Sequence, residues 1–310
     1  MRTFKLMGKD QLELHGIAWD EIESPKAIVQ LSHGMAEHIL RYDGFAAFLN
    51  EHGFIVYGHN HRGHGASVKT TDDLGYLSDS DGWNKLVDDL HTMTMHIKKE
   101  RPELPLFIFG HSMGSFALRH YLSRFGAEID GAVICGTGNN SSLLNQVALQ
   151  VAKLEQKFKG PKHRSQLMTT LSFGKFNNKF KPNKTEFDWL NRDEIEVYKY
   201  IEDPLCGLVF TSSFYVDFLN GIIELSKNSS VNQIPKDKPY LFISGENDPL
   251  SLRGKAIEQV AAQYRSAGIQ NVLVKIYPQA RHELTNEMNK EEIYKDVVDW
   301  LEKSLNSVHK

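Results

Sequence analysis

One stretch near the middle of the chain constrains the fold more than any other. Four apolar residues at 106–109 are followed by Gly110-His111-Ser112-Met113-Gly114 and then by apolar residues at helical spacing. This pattern is typical of a buried strand that turns tightly into a helix, and it predicts that Ser112 is held exposed on a strained turn. Glycines suit the two flanking positions because they have no β-carbon to collide where the strand and the helix approach. The N-terminal amides of the helix would then face the space above the serine, where an oxyanion would form.

The composition is that of a globular chain that does not bind nucleic acid. The 310 residues suffice for one large α/β domain with an insertion or for two ordinary domains. The apolar and charged fractions, 41% and 24%, are typical of soluble proteins, and the net charge of −3 argues against nucleic-acid partners. The first residues lack the apolar core of a signal peptide, no apolar run reaches about 18 residues, and two cysteines give no disulfide framework. We therefore expect a cytoplasmic protein.

Strand-like and helical segments alternate along most of the chain. This rhythm predicts a mostly parallel eight-stranded sheet covered by helices on both faces. It stops after Gly138 and returns near residue 232, with only helical and aromatic segments between. We therefore predict a core formed by residues 1–138 and 232–310, and a helical cap, residues 139–231, inserted after the sixth strand. The predicted strands span residues 2–6, 12–19, 27–32, 54–57, 106–109, 132–135, 240–244 and 272–277.

Two later strand ends carry the partners that a catalytic serine needs. Asp248 follows the strand at 240–244 and His282 follows the strand at 272–277. Because catalytic groups of parallel sheets gather beyond the carboxyl ends of strands, Ser112, Asp248 and His282 are predicted to form a triad. His282 would accept the serine proton, and Asp248 would orient the imidazole. Taken singly, Asp248 could be a turn residue and His282 an ordinary loop histidine, and Glu246 and Glu283 are rival acids.

Backbone amides are the predicted oxyanion hole. Met113 follows the serine, and Met35 lies in the His33-Gly34-Met35 segment after the third strand, where Gly34 permits close approach to substrate. The His-rich loop at 59–64 resembles a dinuclear metal motif, but Gly63 stands where a carboxylate ligand is needed. This loop is more simply a segment packed under the site, and we expect no metal or cofactor.

The predicted cap is strongly basic in its first half. Residues 131–185 contain nine lysines or arginines and one acid, Glu155, with aromatic and aliphatic residues between them. One interpretation is a lid with an apolar side for an acyl chain and a basic side for anionic lipid, so that any membrane contact is peripheral. The alternative is an ordinary packed cap with a solvated lysine face. Candidate acyl-site residues are Phe173, Phe210, Phe214 and Phe218, which could equally be cap core.

These motifs together resemble the monoacylglycerol lipase and bacterial lysophospholipase-like branch of the α/β-hydrolases. The resemblance implies an α/β-hydrolase fold, Ser112 as nucleophile, His282 as base, Asp248 as acid, and the Met35 and Met113 amides as the oxyanion hole. Asn60 departs from the usual Asp and removes a carboxylate that could pair with Arg62. The motifs are, in chain order, His33-Gly34-Met35-Ala36-Glu37-His38, His59-Asn60-His61-Arg62-Gly63-His64-Gly65, Gly110-His111-Ser112-Met113-Gly114, Gly245-Glu246-Asn247-Asp248 and His282-Glu283.

The resemblance implies a cofactor-free serine hydrolase that cleaves monoacylglycerols, lysophospholipids or other small esters through an acyl-enzyme. Two alternatives stay open at this point. One is an aminopeptidase-like or other carboxylesterase activity on the same fold, and the other is a ligand sensor without turnover. The acyl-chain length and the oligomeric state are open.

Overall fold

In a computed structural model, which describes residues 1–139 and 142–308, eight strands form one sheet. The strand order is β1-β2-β4-β3-β5-β6-β7-β8; β2 is antiparallel to both neighbours and every other pair from β4 to β8 is parallel. The expected mostly parallel sheet is confirmed. The strands are β1 Arg2–Met7, β2 Glu13–Trp19, β3 Ala27–Ser32, β4 Phe54–His59, β5 Leu106–His111, β6 Gly131–Cys135, β7 Tyr240–Gly245 and β8 Val272–Tyr277.

Helices cover both faces of this sheet. Alternate residues of a strand point to opposite faces, and in β5 Ile108 belongs to one apolar cluster while Phe107 and Phe109 belong to the other. The first cluster includes side chains of α2, α3 and α9, and the second includes side chains of α1 and α10. The core helices are α1 Asp43–Glu51, α2 Gly82–Glu100, α3 Met113–Phe125, α9 Lys255–Ser266 and α10 Lys290–Val308.

Between β6 and β7, where the sequence predicts the cap, the described residues form five further α-helices. Helix α4 packs against α7, and α7 in turn contacts α2 and α3 of the core. The insertion of helices after the sixth strand agrees with the predicted fold, while the exact division at residues 139 and 231 stays a prediction. None of the helices in residues 1–139 and 142–308 is long and apolar enough to cross a bilayer. The helices are α4 Ser142–Lys159, α5 Gln166–Phe173, α6 Glu194–Glu202, α7 Ser212–Leu225 and α8 Asn228–Asn232.

Candidate active site

Ser112 occupies the turn between β5 and α3 in a strained backbone conformation. Its φ is 51° and its ψ is −120°, and its amide donates to the Cys135 carbonyl at 3.0 Å. A β-carbon at Gly114 would lie 2.1 Å from the Ser32 carbonyl oxygen, and one at Gly110 would lie 2.7 Å from the Gly114 carbonyl oxygen. Both glycines are therefore required by close backbone approach, and the strain is concentrated at the serine, as at many functional sites.

Asp248 and His282 meet beyond the ends of β7 and β8. The His282 Nδ1 atom lies 3.0 Å from the Asp248 Oδ2 atom, and both side chains are buried. The carboxylate also accepts hydrogen bonds from the Leu250 amide at 2.8 Å and from the Ser244 hydroxyl at 3.4 Å. These contacts fix the carboxylate in an orientation that faces the imidazole.

The two rival acids are engaged elsewhere. Glu283 forms an ion pair with Arg41, with an Nη1–Oε1 distance of 2.5 Å. Glu246 lies at the surface and accepts a hydrogen bond from the Gln279 amide at 2.9 Å. Of the three carboxylates considered from the sequence, only Asp248 forms an ion pair with His282 within the described residues.

His282 lies beside the Ser112 turn. The His111 ring, one residue before the serine, is centred 4.8 Å from the His282 ring, and its Nε2 atom lies 3.2 Å from the His282 carbonyl oxygen. A β-carbon at Gly136 would touch both rings, at 3.3 Å from His282 and 3.4 Å from His111. The fold thus brings the three predicted triad residues to one edge of the sheet from separate parts of the chain.

The surroundings of His282 favour its protonated form. Burial alone would lower the pKa of His282, but the Asp248 carboxylate, with smaller contributions from Glu283 and Glu37, outweighs that effect and raises it. The Trp189 ring, contributed by the segment between α5 and α6, lies 5.1 Å from the His282 ring and covers it on the cap side. A carboxylate on one side and an aromatic cover on the other suit an imidazole that becomes charged during a reaction.

The loop after β3 lies against Ser112. A β-carbon at Gly34 would lie 3.3 Å from the Ser112 β-carbon and only 2.5 Å from Glu37 Oε1, so a side chain there would displace the Glu37 carboxylate. Met35 follows Gly34, and Met113 is the first residue of α3, where helical amides have no intrahelical partner. No backbone carbonyl of residues 1–139 and 142–308 accepts a hydrogen bond from the Met35 or Met113 amide. Within the described part of the chain, both amides therefore lack a competing backbone acceptor.

A buried ion network that the sequence did not predict supports this loop. The Glu37 Oε1 atom accepts a hydrogen bond from the Gly34 amide at 2.5 Å and lies 3.3 Å from His111 Nδ1. Its Oε2 atom lies 3.1 Å from Arg41, which also binds Glu283 through two nitrogens at 2.5 and 2.9 Å. The network thus ties the Met35 loop to the residues before Ser112 and after His282. The four-residue spacing of Glu37 and Arg41 was the only available signal.

Charge pairing controls the ionisation of Glu37. Burial alone would raise the pKa of Glu37, but the hydrogen bond with His111 and the charge of Arg41 outweigh burial and hold the pKa well below its usual range. The ionised carboxylate therefore stabilises the fold above the pKa of an unfolded glutamate, about 4.3. That contribution is lost as the pH falls through the lower folded-state pKa.

We expect Arg41→Met to destabilise the fold strongly. The methionine fills most of the space but leaves Glu37 and Glu283 buried without a cation, which costs about 3–5 kcal/mol in the free energy of unfolding. Lys26→Met is the control, because the Lys26–Glu302 pair is exposed and contributes at most about 1 kcal/mol. Urea unfolding of both variants measures the difference. If the two variants lost equal free energy of unfolding, the buried Arg41 network would contribute no more to stability than an exposed ion pair.

The His-rich loop packs beneath the site, as expected from the sequence. The His33 and His61 rings are centred 4.2 Å apart, and burial lowers the pKa of His59 to about 3 and of His64 to about 4. These four rings are neutral at physiological pH. Within the described residues, none of the four belongs to a group whose ligand atoms converge on a possible metal position.

Arg62 has carboxylate partners even though Asn60 stands where the family usually has Asp. Its guanidinium binds Asp89 at 2.7 and 2.9 Å and Asp10 at 3.0 and 3.2 Å. Asn60 instead accepts a hydrogen bond from the Ile39 amide at 3.0 Å. Two acids distant in sequence, Asp10 and Asp89, therefore supply the negative charge beside Arg62.

The four candidate acyl-site phenylalanines separate into two groups. Phe173 stacks on Trp189 with ring centroids 6.0 Å apart, in the aromatic cluster over His282. Phe210 and Phe214 are fully buried 4.2 Å apart, and Phe218 is half-buried and stacked 5.9 Å from Phe214. This second group joins the main apolar core rather than an open surface.

Known proteins share this fold and sequence pattern. The family model described as serine aminopeptidase, S33 (Hydrolase_4), matches residues 23–289. A monoacylglycerol lipase of Mycolicibacterium smegmatis is 26% identical over 91% of this chain and 90% of its own, and a monoglyceride lipase homolog of monkeypox virus is 29% identical over 91% and 92%. The crystal structure of a carboxyl esterase from Bacillus coagulans superimposes with a TM-score of 0.91 at 24% identity over 98% of both chains. By its sequence and its fold, the chain belongs to the serine aminopeptidase S33 family of α/β-hydrolases.

Proposed function

We propose that this protein is a serine hydrolase that cleaves carboxylic esters through an acyl-enzyme. Ser112 Oγ attacks the ester carbonyl carbon while His282 accepts its proton, and the alcohol then leaves with that proton. Water, activated by the same imidazole, releases the acid and restores the serine. Asp248 holds the imidazole tautomer. The observation that carries the proposal is the buried Asp248–His282 pair, 3.0 Å apart, beside a serine at φ 51°.

The Met35 and Met113 amides are the proposed oxyanion hole. Gly34 brings the Met35 loop against Ser112, and Met113 begins the helix whose N-terminal amides face developing negative charge. Removing one such donor from an enzyme costs about 3 kcal/mol of transition-state stabilisation. The Glu37 network, which holds the Gly34 amide, then acts on the rate by positioning this loop.

Monoacyl lipids are the proposed substrate class. Relatives named monoacylglycerol lipase align along nearly the whole chain, and the cap supplies aromatic residues on the side of His282. Phe173 lies beside Trp189 in that cover, and Phe218 is half-buried. Phe210 and Phe214, fully buried here, would line the acyl site only after the cap helices separate. Hydrolysis rates across acyl esters of two to sixteen carbons, with monoacylglycerol and lysophospholipid included, test this assignment.

The pH dependence of hydrolysis tests the role of His282. A general base must be neutral, so kcat/KM is expected to fall as the pH falls through the pKa of His282. Since Asp248 raises that pKa, the midpoint of the acid limb should lie above about 6.5, the ordinary value for histidine. The contribution of His282 to the free energy of unfolding follows the opposite trend. Its raised pKa stabilises the folded state at low pH, and that contribution is lost as the pH rises through the folded-state pKa. A midpoint below 6 in a pH–rate profile would contradict the assignment.

An aminopeptidase activity is the second candidate, because the matching family model carries that description. Recognition of a free amine requires carboxylate oxygens that are not already bound by other groups. Glu37 and Glu283 lie near the site, but Arg41 binds both of them. We therefore favour the ester. Comparison of p-nitrophenyl esters with aminoacyl p-nitroanilides separates the two activities.

We also propose that the cap touches a lipid surface peripherally. Helix α4 buries Leu149 and Ala152 against the cap core. Its opposite face exposes a row of apolar residues at helical spacing, and Lys153 and Lys157 flank that row. Such a face, apolar and bordered by lysines, suits the boundary of an anionic bilayer. The exposed residues are Leu143, Leu144, Val147, Leu154 and Phe158.

We expect the double variant Leu144→Asp/Phe158→Asp to bind anionic phospholipid vesicles about tenfold more weakly or worse. The two side chains are 70% and 80% exposed, so the fold loses little, whereas lipid contact loses two apolar anchors and gains two negative charges. Met288→Asp is the control, because Met288 is equally exposed but lies outside the cap. Vesicle co-sedimentation measures binding. If the double variant bound vesicles as well as the unmodified chain, the exposed face of α4 would be ordinary solvated surface and the proposed lipid contact would be wrong.

The cytoplasm is the proposed location. Cys135 and Cys206 are both buried and free. Two unpaired thiols fit a compartment that keeps cysteine reduced.

A further inference from the structure

Three potential metal ligands converge where the Met35 loop meets the cap. His38 Nε2 lies 2.8 Å from Asp203 Oδ2, and the Cys206 sulfur completes a group in which all three ligand atoms lie within 4.8 Å of one another. His38 comes from the segment after β3, whereas Asp203 and Cys206 lie between α6 and α7. No local sequence pattern indicates this group, because 165 residues separate His38 from Asp203 and the spacing matches no metal motif.

The donor set and its dimensions suit a tetrahedral zinc ion. Imidazole nitrogen, carboxylate oxygen and thiolate sulfur are the three ligand types that zinc binds, at about 2.0–2.3 Å. Ligand atoms around such an ion lie about 3.3–3.8 Å apart. His38 Nε2 and Asp203 Oδ2, now 2.8 Å apart, would therefore separate by about 0.5 Å, and the Cys206 sulfur would approach them by at most about 1.3 Å. The second carboxylate oxygen of Asp203 is anchored by the Leu205 amide at 2.8 Å, which holds Oδ2 toward His38.

The local charge favours a divalent cation. Arg41 is the nearby positive group, but Glu37 and Glu283 both bind it and leave this network with one net negative charge. The Asp203 carboxylate adds a second negative charge. A cation would therefore be attracted to the group, and its charge would stabilise the Cys206 thiolate.

The group is partly open to solvent. The Asp203 side chain is 29% exposed and the His38 side chain is 11% exposed, while Cys206 is buried. This exposure gives an ion access from one side and leaves room for a water molecule as the fourth ligand, whereas the thiol side is shielded by protein.

We propose that His38, Asp203 and Cys206 form a binding site for a borderline-soft divalent cation of the zinc type, which fastens the Met35 loop to the cap. The Gly207 amide already donates to the Ala36 carbonyl at 3.0 Å, so the two segments are in direct contact beside the proposed site. The bound ion joins the loop that precedes α1 to the segment that follows α6. It supplies no reacting group to Ser112, and its role is structural.

Cobalt titration of the purified full-length chain tests the site without reference to catalysis. A Co²⁺ ion bound by one thiolate in tetrahedral geometry gives a near-ultraviolet charge-transfer band and visible ligand-field bands. We expect one Co²⁺ per chain, displaced by Zn²⁺. We also expect the near-ultraviolet band to vanish in Cys206→Ser, and Co²⁺ affinity to fall at least tenfold in Asp203→Asn and His38→Gln. Cys135→Ala is the control, because Cys135 lies in β6 outside the group, and its band should persist.

Thermal unfolding gives a second measurement that guards against misfolded variants. Zn²⁺ at saturating concentration should raise the Tm of the unmodified chain, and the same Zn²⁺ should leave the Tm of folded Cys206→Ser unchanged. Absence of both the band and the Tm shift in the unmodified chain overturns the proposal. An unaltered band in Cys206→Ser, or its loss in Cys135→Ala, overturns it as well. Because neither measurement uses an ester, failure here is distinguishable from failure of the proposed hydrolase activity.

Discussion

Replacing Ser112 with alanine is expected to reduce kcat for p-nitrophenyl butyrate by about five to six orders of magnitude. Without the hydroxyl no acyl-enzyme forms, and only the residual contribution of binding and the oxyanion hole remains. The fold should be unaffected, because the structural contacts of this residue are made by its backbone. Its amide donates to Cys135 at 3.0 Å, and its carbonyl accepts from the Ser115 hydroxyl at 2.6 Å. Alanine at φ 51° carries the same backbone strain as serine.

The control for this experiment is Ser123→Ala, in helix α3, which follows Ser112. The Ser123 hydroxyl donates to the His120 carbonyl within the same helix, so activity should stay within about twofold. A fluorophosphonate probe should label the unmodified chain and Ser123→Ala but not Ser112→Ala. Retained turnover together with retained labelling in Ser112→Ala would place the nucleophile elsewhere in the chain. If the unmodified chain and both variants were inactive and unlabelled, the result would favour a ligand sensor without turnover.

The main elements of the sheet could be predicted because their sequence signals are local. β5 and α3 carry an apolar run, a glycine turn and helical spacing, and both occur where expected. Boundaries that depend on partners were less accurate. β4 continues to His59, beyond the predicted end at residue 57, because Gly58 and His59 pair with β2. Helix α9 begins at Lys255, directly after Gly254, whose left-handed φ of 79° ends the preceding turn.

The candidate triad could be located from sequence because parallel topology makes strand ends converge. Asp248 and His282 follow adjacent strands, so their proximity is a consequence of the β7–β8 pairing. The Glu37–Arg41–Glu283 network could not be located in this way, since Arg41 and Glu283 are 242 residues apart and Glu283 adjoins a more conspicuous histidine. The partners of an ion pair carry no sequence pattern when they lie on loops whose spacing is set only by the fold.

Exchange of Asp248 for asparagine is expected to lower kcat by about four orders of magnitude while the protein stays folded. Asparagine retains one carbonyl oxygen that can accept from the Leu250 amide, so the local turn should persist. Its amide group, facing His282 Nδ1, would favour the tautomer with the proton on Nε2, which cannot accept the Ser112 proton. The same change removes the negative charge that raises the pKa of His282, so the imidazolium formed during attack is no longer stabilised.

Glu246→Gln is the matched control for Asp248→Asn, since it removes a charge from the same loop without touching the imidazole. Glu246 lies at the surface, and glutamine can still accept from the Gln279 amide, so turnover should remain within about twofold. Steady-state kinetics and fluorophosphonate labelling rates of both variants separate orientation from general loop damage. If Asp248→Asn kept more than a tenth of the activity, or if Glu246→Gln lost as much, the buried carboxylate would not be the group that orients His282. Its close contact with the imidazole would then serve the packing between β7 and β8 alone.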